Sequence, residues 1–412
     1  MNARVLAVLS LFPLPALAGG FAVSEQDAQA TGRAGASVGV SGSASALHFN
    51  PAGLSTISGV SAEAGATAIL PSATSTDPTS GTATSAEGGL KLPPHVYGGY
   101  GFGQVAIGVG FNAPFGGGLK WPDTWAGRTE LTQMTLQVLA GHLGGAWKIN
   151  DQFSVGASAT LYKVDVTLDK KVDFIDTEGT AQLGGGGVAF TGALGATWTP
   201  RSELTFGFMG RLPATASLSG RAHFEGQPKA FASTLPDQAI TTSLTLPGKL
   251  AFGASAKLPW LKLFADFEYT FWSSFQSFAV DFSNPSTPDV NQPRNWANAP
   301  TFRLGAEKDF GLTTVRLGGL LDLAASPADT LSPSLPDSTR LGFSAGVGRP
   351  LGPVRLDLAY QFVAFLNRTS TGESYPSNYS ASAHLIAFSL SWLGTHDEAP
   401  ALAPSSAPVA QR

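Results

Sequence analysis

From residue 59 onward, hydrophobic and polar positions alternate along the chain with a period of two. In 153–161, an apolar set that begins with Phe153 and Val155 interleaves with a small polar set that begins with Ser154, and 261–269 and 354–360 show the same pattern. A period of two places successive side chains on opposite faces of a β-sheet, whereas helices repeat an apolar face every three to four residues. The pattern therefore predicts an all-β protein.

About fourteen alternating segments follow residue 58, and the connections between them alternate in length. The predicted strands are 59–70, 95–102, 104–112, 130–147, 152–168, 187–199, 202–212, 246–258, 261–273, 301–309, 312–323, 339–349, 353–366 and 381–393. The long connections are 71–94, 113–129, 169–186, 213–245, 274–300, 324–338 and 367–380. Regular alternation of short and long connections predicts an antiparallel up-and-down β-barrel, with tight turns at one rim and long loops at the other.

A soluble β-sandwich would alternate too, but three observations favour a transmembrane barrel. The predicted strands run to about 12 residues, close to the roughly 9–11 that a tilted strand needs to cross a bilayer. Charged residues occupy mid-strand positions that a wet lumen can accommodate, and tryptophans lie near strand ends, where barrels carry interfacial girdles. The charged residues are Asp266, Glu268, Arg303, Arg316, Arg355 and Asp357, and the tryptophans are Trp121, Trp125, Trp147, Trp198, Trp260, Trp272 and Trp392.

The composition agrees with this class. Of the 412 residues only 13% are charged, against about 25% in an average soluble domain. The net charge of −4 does not support nucleic-acid binding, so we expect no nucleic-acid partner. The sequence contains no cysteine, which excludes disulfides, thiol catalysis and cysteine-based metal sites.

The two ends of the chain differ from the barrel at 59–393. Residues 1–18 are typical of a secretory signal peptide, because Arg4 precedes a short apolar stretch that ends in an Ala-Leu-Ala cleavage site. The protein is therefore expected to be exported. The Ala/Pro-rich segment 394–412 is expected to be a disordered periplasmic tail.

Residues 19–58 do not alternate, and they are rich in Gly, Ala and Ser. A barrel of this size encloses a lumen that wall side chains alone cannot fill. Pro51 fixes a defined turn in the segment, and Phe21 and Leu54 supply apolar groups for packing. The segment therefore predicts an N-terminal luminal hatch; the alternative is an unpacked leader.

Short motifs run in order through nearly the whole mature chain. They include Phe21-Ala22-Val23-Ser24-Glu25-Gln26, Thr31-Gly32-Arg33-Ala34, Phe49-Asn50-Pro51-Ala52-Gly53-Leu54, Asn112-Ala113-Pro114-Phe115-Gly116, Trp125-Ala126-Gly127-Arg128 and Leu335-Pro336-Asp337-Ser338-Thr339-Arg340. Their order and spacing resemble the FadL-type outer-membrane transporters of long-chain fatty acids and aromatic hydrocarbons. The resemblance assigns to the hatch Phe21, Arg33, Phe49, Asn50, Pro51, Ala52 and Gly53.

This resemblance implies a fourteen-stranded transmembrane barrel in the bacterial outer membrane, with the hatch inside it. It also implies that a hydrophobic molecule is captured among the outer loops, moves to a luminal pocket and leaves sideways through the wall. Because burial of one CH₂ group contributes about 0.8 kcal/mol, a path from an apolar pocket into lipid is favourable. The expected partners are a hydrophobic small molecule and outer-membrane lipid, and we expect a monomer.

The resemblance places the wall opening in the third strand, where the candidate gate residues are Gly108, Gly110, Asn112 and Pro114. Glycine weakens a strand and often marks a bulge, and proline cannot donate to the ladder. The alternative is that glycine is simply common in this chain, with 49 residues.

The candidates for ligand capture are apolar residues of the long loops, which could instead anchor the barrel at the membrane interface. They are Leu119, Trp121, Trp125, Phe224 and Phe231. A carboxylate ligand would need a luminal cation, and the arginines on inward positions are Arg211, Arg303, Arg316 and Arg355. Each could equally pair with Asp266, Glu268, Glu307 or Asp357, so the choice between fatty acid and neutral hydrocarbon stays open.

Catalysis is not expected. The G-x-S-x-G pattern at 342–346 lies inside an alternating strand rather than at the strand-to-helix turn that a nucleophile requires. The histidines are scattered without the spacing of a metal-binding helix, so we expect no metal and no cofactor. The alternative to a transporter is a non-transporting barrel such as an adhesin, or a general porin.

Overall fold

The computed structural model describes residues 20–372 and 375–392. The expected signal peptide (1–18) and tail (394–412) lie outside the described residues. The structure is a closed antiparallel barrel of fourteen strands, because the last strand pairs with the first and every other strand pairs with its neighbours in sequence. The predicted fold class is thereby confirmed. Within the described part of the chain, no helix is long and apolar enough to cross a membrane.

The strand bounds show that five of the fourteen barrel strands are interrupted, namely β2–β3, β8–β9, β10–β11, β12–β13 and β14–β15. The segments are β1 Gly59–Thr76, β2 Ala83–Ala86, β3 Pro94–Phe102, β4 Val105–Lys120, β5 Gln133–Lys148, β6 Phe153–Asp173, β7 Glu178–Arg201, β8 Leu204–Arg211, β9 Ala214–Glu225, β10 Gln238–Leu246, β11 Lys249–Lys257, β12 Lys262–Thr270, β13 Ser277–Phe282, β14 Val290–Pro293, β15 Ala299–Phe310, β16 Thr313–Asp322, β17 Arg340–Leu351, β18 Val354–Thr369 and β19 Asn378–Trp392.

Two of the long loops predicted from the sequence are wrong. The segment 169–186 is the upper part of the β6–β7 hairpin, whose strands pair from Phe153–Trp198 up to Asp173–Glu178. Most of 213–245 likewise belongs to β9 and β10. Both hairpins extend beyond the alternating apolar band. Backbone N–H and C=O groups outside the membrane can be paired by a strand ladder as well as by water, so the strands need not end where the apolar side chains end.

The outward face of the barrel is apolar across its middle. On β7, the outward side chains of Val188, Phe190 and Leu194 are 55%, 73% and 68% exposed. A continuous exposed apolar band is unfavourable in water but is what a bilayer requires. Trp198 lies near the short-turn end of the same strand, where interfacial aromatic residues are typical. These features fit the outer-membrane barrel that the sequence predicts.

The hatch, residues 20–58, lies inside the barrel. It contains two short helices, α1 Ala28–Gly32 and α2 Ala46–Phe49, and a 3₁₀ turn Pro51–Thr56. The side chain of Asp27 accepts the N–H of Ala30 and caps α1. Asn50 caps the 3₁₀ turn in the same way, accepting the Ala52 N–H at 3.2 Å. Local capping residues therefore define the short elements of a segment that has little regular structure.

The lumen has two levels, which we name by their distance from the short-turn rim. The lower lumen, nearer the short turns, contains the hatch and most of the charged side chains. The upper lumen, nearer the long loops, contains the main apolar core. Members of that core from four strands are Met134, Leu136, Val138, Tyr162, Val164, Val166, Leu218 and Leu244.

Candidate functional site: the luminal cavity and the break in the third strand

The hatch approaches the wall most closely where the wall has glycine. A Cβ atom at Gly195 would lie 2.1 Å from Oδ1 of Asn50, and one at Gly318 would lie 2.4 Å from the carbonyl carbon of Arg33. Asn50 also donates from Nδ2 to the carbonyl oxygens of Val38 at 2.9 Å and Ala196 at 3.2 Å. The predicted hatch residue Asn50 therefore joins the hatch to itself and to the barrel.

Ion pairs fix the hatch on the opposite side of the lower lumen. Arg316 donates from Nε to Glu307 at 2.7 Å and from NH1 to Asp357 at 2.6 Å. Arg33 of the hatch lies 3.4 Å from the same Glu307 carboxylate, and Arg355 lies 2.9 Å from Asp357. Arg316 and Arg355 are thus neutralised by wall carboxylates at the level of the hatch.

The other two predicted arginines lie at the floor of the upper lumen. Arg211 donates to the carbonyl oxygen of His48 at 2.8 Å, and Arg303 lies 3.8 Å from Glu268. They border a small cavity of about 60 Å³ together with Lys249 and Arg340. Its lining carries four basic side chains and three carboxyl groups, namely those of Asp266, Glu268 and Asp322.

The three guanidinium groups of this lining belong to Arg211, Arg303 and Arg340. Their buried Nε atoms have no hydrogen-bond partner among the described residues, although Nε of Arg340 lies 3.5 Å from a carboxylate oxygen of Asp322. One carboxylate is already occupied: Asp266 accepts the hatch N–H groups of Ser37 at 2.6 Å and Val38 at 2.9 Å. The small cavity is therefore suited to an anionic group more than to a cation.

A larger cavity of about 560 Å³ lies above the hatch and shares Ala22, Phe115 and Arg303 with the small one. Its lining is mostly apolar and comes from the start of the hatch, the upper strands and the loop 323–339. Representative apolar residues of the lining are Phe21, Ile69, Leu119, Leu136, Leu320, Leu335, Val363 and Leu385. A cavity of this size and polarity can hold a small hydrophobic molecule.

The barrel wall is interrupted at β4, the third barrel strand. The ladder between β3 and β4 ends at the pair Val96–Phe111, and the register of β4 against β5 shifts between Asn112 and Phe115. Beyond this point Pro114 and its neighbours pair with the hatch instead: Val23 N–H donates to Pro114 at 2.9 Å and Gly116 N–H donates to Phe21 at 3.0 Å. The hatch thus occupies the wall position that β3 leaves.

The predicted gate residues divide into two pairs. Asn112 and Pro114 lie at the register shift, whereas Gly108 and Gly110 lie in the regularly paired part of β4. A Cβ at Gly110 would lie 2.7 Å from the ring of Tyr97, so this glycine makes room for an inward aromatic ring.

The large cavity reaches the wall at this break. Its lining there includes residues of both faces of the wall, namely inward Phe115 and outward Gly116, Gly118, Thr135 and Gln137.

Phe21 occupies an aromatic cluster beside the break. Its ring centroid lies 4.7 Å from Trp272, 5.9 Å from Phe115 and 5.9 Å from Phe275, each in an edge-to-face arrangement. Such pairs contribute about 0.5–1.5 kcal/mol each beyond the area that they bury. The first ring of the hatch is therefore held by the same kind of contact that an aromatic or apolar ligand could make.

The capture candidates are placed differently from one another. Leu119 lines the large cavity, while Trp121 and Trp125 are buried and stacked at 4.6 Å. The indole of Trp121 donates to Pro333, so the pair connects two long loops and offers no exposed surface for capture in this structure. Phe224 packs on a neighbouring hairpin and is half-buried, and Phe231 is 42% exposed.

Sequence reasoning missed Asp337 and Arg340 as site residues, although both belong to a motif that carries the resemblance. Asp337 accepts the N–H groups of Ala325 at 2.7 Å, Ser326 at 3.0 Å and Gly20 at 3.3 Å, and burial raises its pKa to about 6. Arg340 donates to the Gly20 carbonyl at 2.6 Å. Together they attach the start of the hatch to the loop 323–339.

A sequence profile of a family of outer membrane protein transport proteins, described as OMPP1/FadL/TodX, matches residues 9–392. The chain belongs to this family. Its members are transporters of hydrophobic compounds in the outer membrane, so the predicted resemblance and location are confirmed. No curated protein sequence matches the chain.

Solved members of the family have the same fold. A FadL homologue from Pseudomonas aeruginosa superposes with a TM-score of 0.83 at 17% identity, covering 91% of this chain and 99% of that one. The toluene transporter TbuX of Ralstonia pickettii gives 0.70 at 19% identity, with 89% and 98% covered. The toluene transporter TodX of P. putida gives 0.72 at 18% identity, with 89% and 97% covered.

Proposed function

We propose that this transporter carries amphiphilic molecules with an apolar chain and an anionic head, the class to which long-chain fatty acids belong. The observation that carries the proposal is that the two cavities share lining residues, Arg303 and Arg340 among them. The apolar chain would occupy the 560 Å³ cavity, and the head would lie among Arg211, Arg303 and Arg340 in the small one. A hydrogen bond to a charged group contributes about 1.5–3 kcal/mol, enough for roughly tenfold to hundredfold discrimination against a neutral chain.

The same proposal includes a lateral exit at the break in β4. The hatch residues Phe21 to Val23 hold the wall position through two backbone hydrogen bonds to β4. A ligand that displaces Phe21 from its aromatic cluster would remove the side-chain contacts that keep those bonds in place. The solute could then pass beside Gly116 and Gly118 into the bilayer, because the large cavity already borders both faces of the wall there.

A neutral aromatic substrate is the second candidate, because Phe21 lies among Trp272, Phe275 and Trp296. Two structural relatives are toluene transporters by name. A ring that replaced Phe21 would make edge-to-face contacts of the same kind and would not need the arginines. The two candidates therefore differ in whether the small cavity contributes to binding.

The test is uptake by the full-length protein in liposomes of palmitate, its methyl ester, hexadecane and toluene. We expect palmitate to be taken up about tenfold faster than its methyl ester, and the Arg303→Met variant to lose this preference. Arg355→Met, whose guanidinium pairs with Asp357 in the lower lumen, is the matched control and should keep the preference. Equal uptake of palmitate and its ester by the unmodified protein would contradict an anionic head site, and toluene uptake alone would favour the second candidate.

The same liposomes test the two non-transporting alternatives. A general porin would release a small hydrophilic dye, whereas the hatch in the lower lumen predicts that the dye is retained. An adhesin would show no uptake of any of the four compounds. Either result would refute the transporter proposal.

A further inference from the structure

Asn112 is fully buried at the last β4 position before the register shift. Its amide contacts three other elements: Nδ2 lies 3.0 Å from Nδ1 of His48 and 2.8 Å from the hydroxyl of Tyr97, and Oδ1 lies 2.9 Å from Nε2 of His142. His48 belongs to the hatch, Tyr97 to β3 and His142 to β5. One side chain therefore connects the hatch with both strands that border β4.

The hydrogen-bond directions in this group are set by chemistry. Because Nδ2 of Asn112 can only donate, Nδ1 of His48 accepts. Because Oδ1 can only accept, Nε2 of His142 donates, and its Nδ1 accepts from the Thr160 hydroxyl at 2.8 Å. All of these groups lie away from solvent, so the loss of one partner would leave another polar group unsatisfied, which costs about 1–3 kcal/mol.

The position of this group matters for the wall. Up to Phe111, β4 pairs with β3; beyond Asn112 its edge is taken over by the hatch residues Phe21 to Val23. His48 and Phe21 lie at opposite ends of the hatch sequence, yet both act on β4 within four residues of Asn112. A hatch movement that shifted His48 would therefore also change the strand that forms the edge of the break.

We infer that Asn112 is a positioning residue that couples the hatch to the break in the third strand. While His48 holds the Asn112 amide, β4 keeps its register shift and presents its edge to the hatch. When the hatch moves, the amide loses this partner and the edge is released. The inference rests on the proposed lateral exit for its role in transport, but the coupling itself concerns only the hatch and β4.

The experiment uses the full-length protein and exploits the absence of cysteine from the sequence. Ala22→Cys places one thiol on the hatch residue opposite Phe115. Asn112→Leu, of similar volume, is then compared with Thr314→Val, which removes a buried hydroxyl that donates to Asp309 near the short-turn rim. The readouts are the rate at which a hydrophilic maleimide labels the introduced thiol and the temperature at which the barrel unfolds.

We expect Asn112→Leu to increase the labelling rate about tenfold by opening the hatch contact locally. Thr314→Val should leave that rate unchanged, although each variant leaves a buried polar partner unsatisfied and should therefore lower the unfolding temperature. An unchanged labelling rate in Asn112→Leu would overturn the inference, and so would a rise of the same size in Thr314→Val. Because labelling needs no substrate, this experiment tests the coupling between the hatch and β4 independently of the uptake assay.

A double variant provides a second, independent measure. If Asn112 acts through the hatch, adding His48→Phe to Asn112→Leu should raise the labelling rate no further than the larger single effect. Independent effects would instead multiply. Multiplication in a double variant that still migrates as a folded barrel would contradict the coupling.

Discussion

The lower and the upper lumen are formed by the same strands but differ in residue type. On β6 the inward residues near the short turns are small or polar, such as Gly156 and Ser158, and those above Thr160 are large and apolar, such as Tyr162 and Val164. The change occurs at the level where the hatch ends and the cavity begins. A single alternating strand thus supports two different environments along its length.

The difference follows from what each level contains. The hatch brings a polar backbone into the lumen, and buried N–H and C=O groups need partners, which Asp266, Asn50 and the wall carbonyls supply. A hydrophobic ligand has few groups to satisfy and must be able to leave. An apolar surface would bind such a ligand without fixing its position. The polar lower lumen therefore suits the hatch, and the apolar upper lumen suits a ligand that binds and leaves.

The largest expected effect tests whether the charges of the lower lumen act as a network. Arg316→Met would leave Glu307 and Asp357 without their closest shared cation, which should lower the free energy of unfolding by about 3–5 kcal/mol. Arg349→Met, on the exposed face of the adjacent strand, is the control and should cost less than about 0.5 kcal/mol. Urea unfolding in detergent micelles measures both. Similar losses of unfolding free energy in the two variants would show that the stability of the lower lumen does not depend on this ion-pair network.

Asp337 is an acidic residue near the mouth of the mostly apolar upper lumen. We expect it to make the stability of the fold depend on pH. Burial raises its folded pKa from 3.8 to about 6, so protonated Asp337 favours the folded state. Its contribution is fully present below about pH 4 and is lost as the pH rises to 6, amounting to about 3 kcal/mol. Unfolding free energies at pH 4 and pH 7 should therefore differ less in Asp337→Asn than in the unmodified protein. The same pH dependence in both would contradict this assignment.

A covalent link between the hatch and the wall should have the smallest effect on stability of these changes, but a clear effect on transport. Ala22 and Phe115 form a bridge between two flanking backbone hydrogen bonds, so cysteines at both positions should form a disulfide. Oxidation should reduce palmitate uptake about tenfold if the hatch must leave β4, and a reductant should restore it. The Phe115→Cys single variant controls for the lost ring. Undiminished uptake in the oxidised protein would mean that the exit does not require this movement.

Several features of the candidate site could be predicted from local sequence. Asn112 and Pro114 indicate a break in the third strand because a proline cannot donate to a ladder and the register is interrupted around it. The long connection predicted at 169–186 is wrong, because its glycines at 184–186 are paired with β6. Glycine permits many backbone conformations, so its presence does not by itself indicate a loop. Here, pairing with the neighbouring strand gives these glycines an extended conformation.

The sequence by itself determined the barrel through the period-two pattern, the strand lengths and the regular alternation of short and long connections. Alternation and strand length are local consequences of one face meeting lipid and the other the lumen. Only the tertiary structure decided which groups meet inside. Arg316 pairs with wall carboxylates whereas Arg303 borders the cavity, and Phe21 rather than β3 continues the edge of β4. These contacts join residues that are distant in sequence, and barrel closure and the path of the hatch fix them, so no local pattern could encode them.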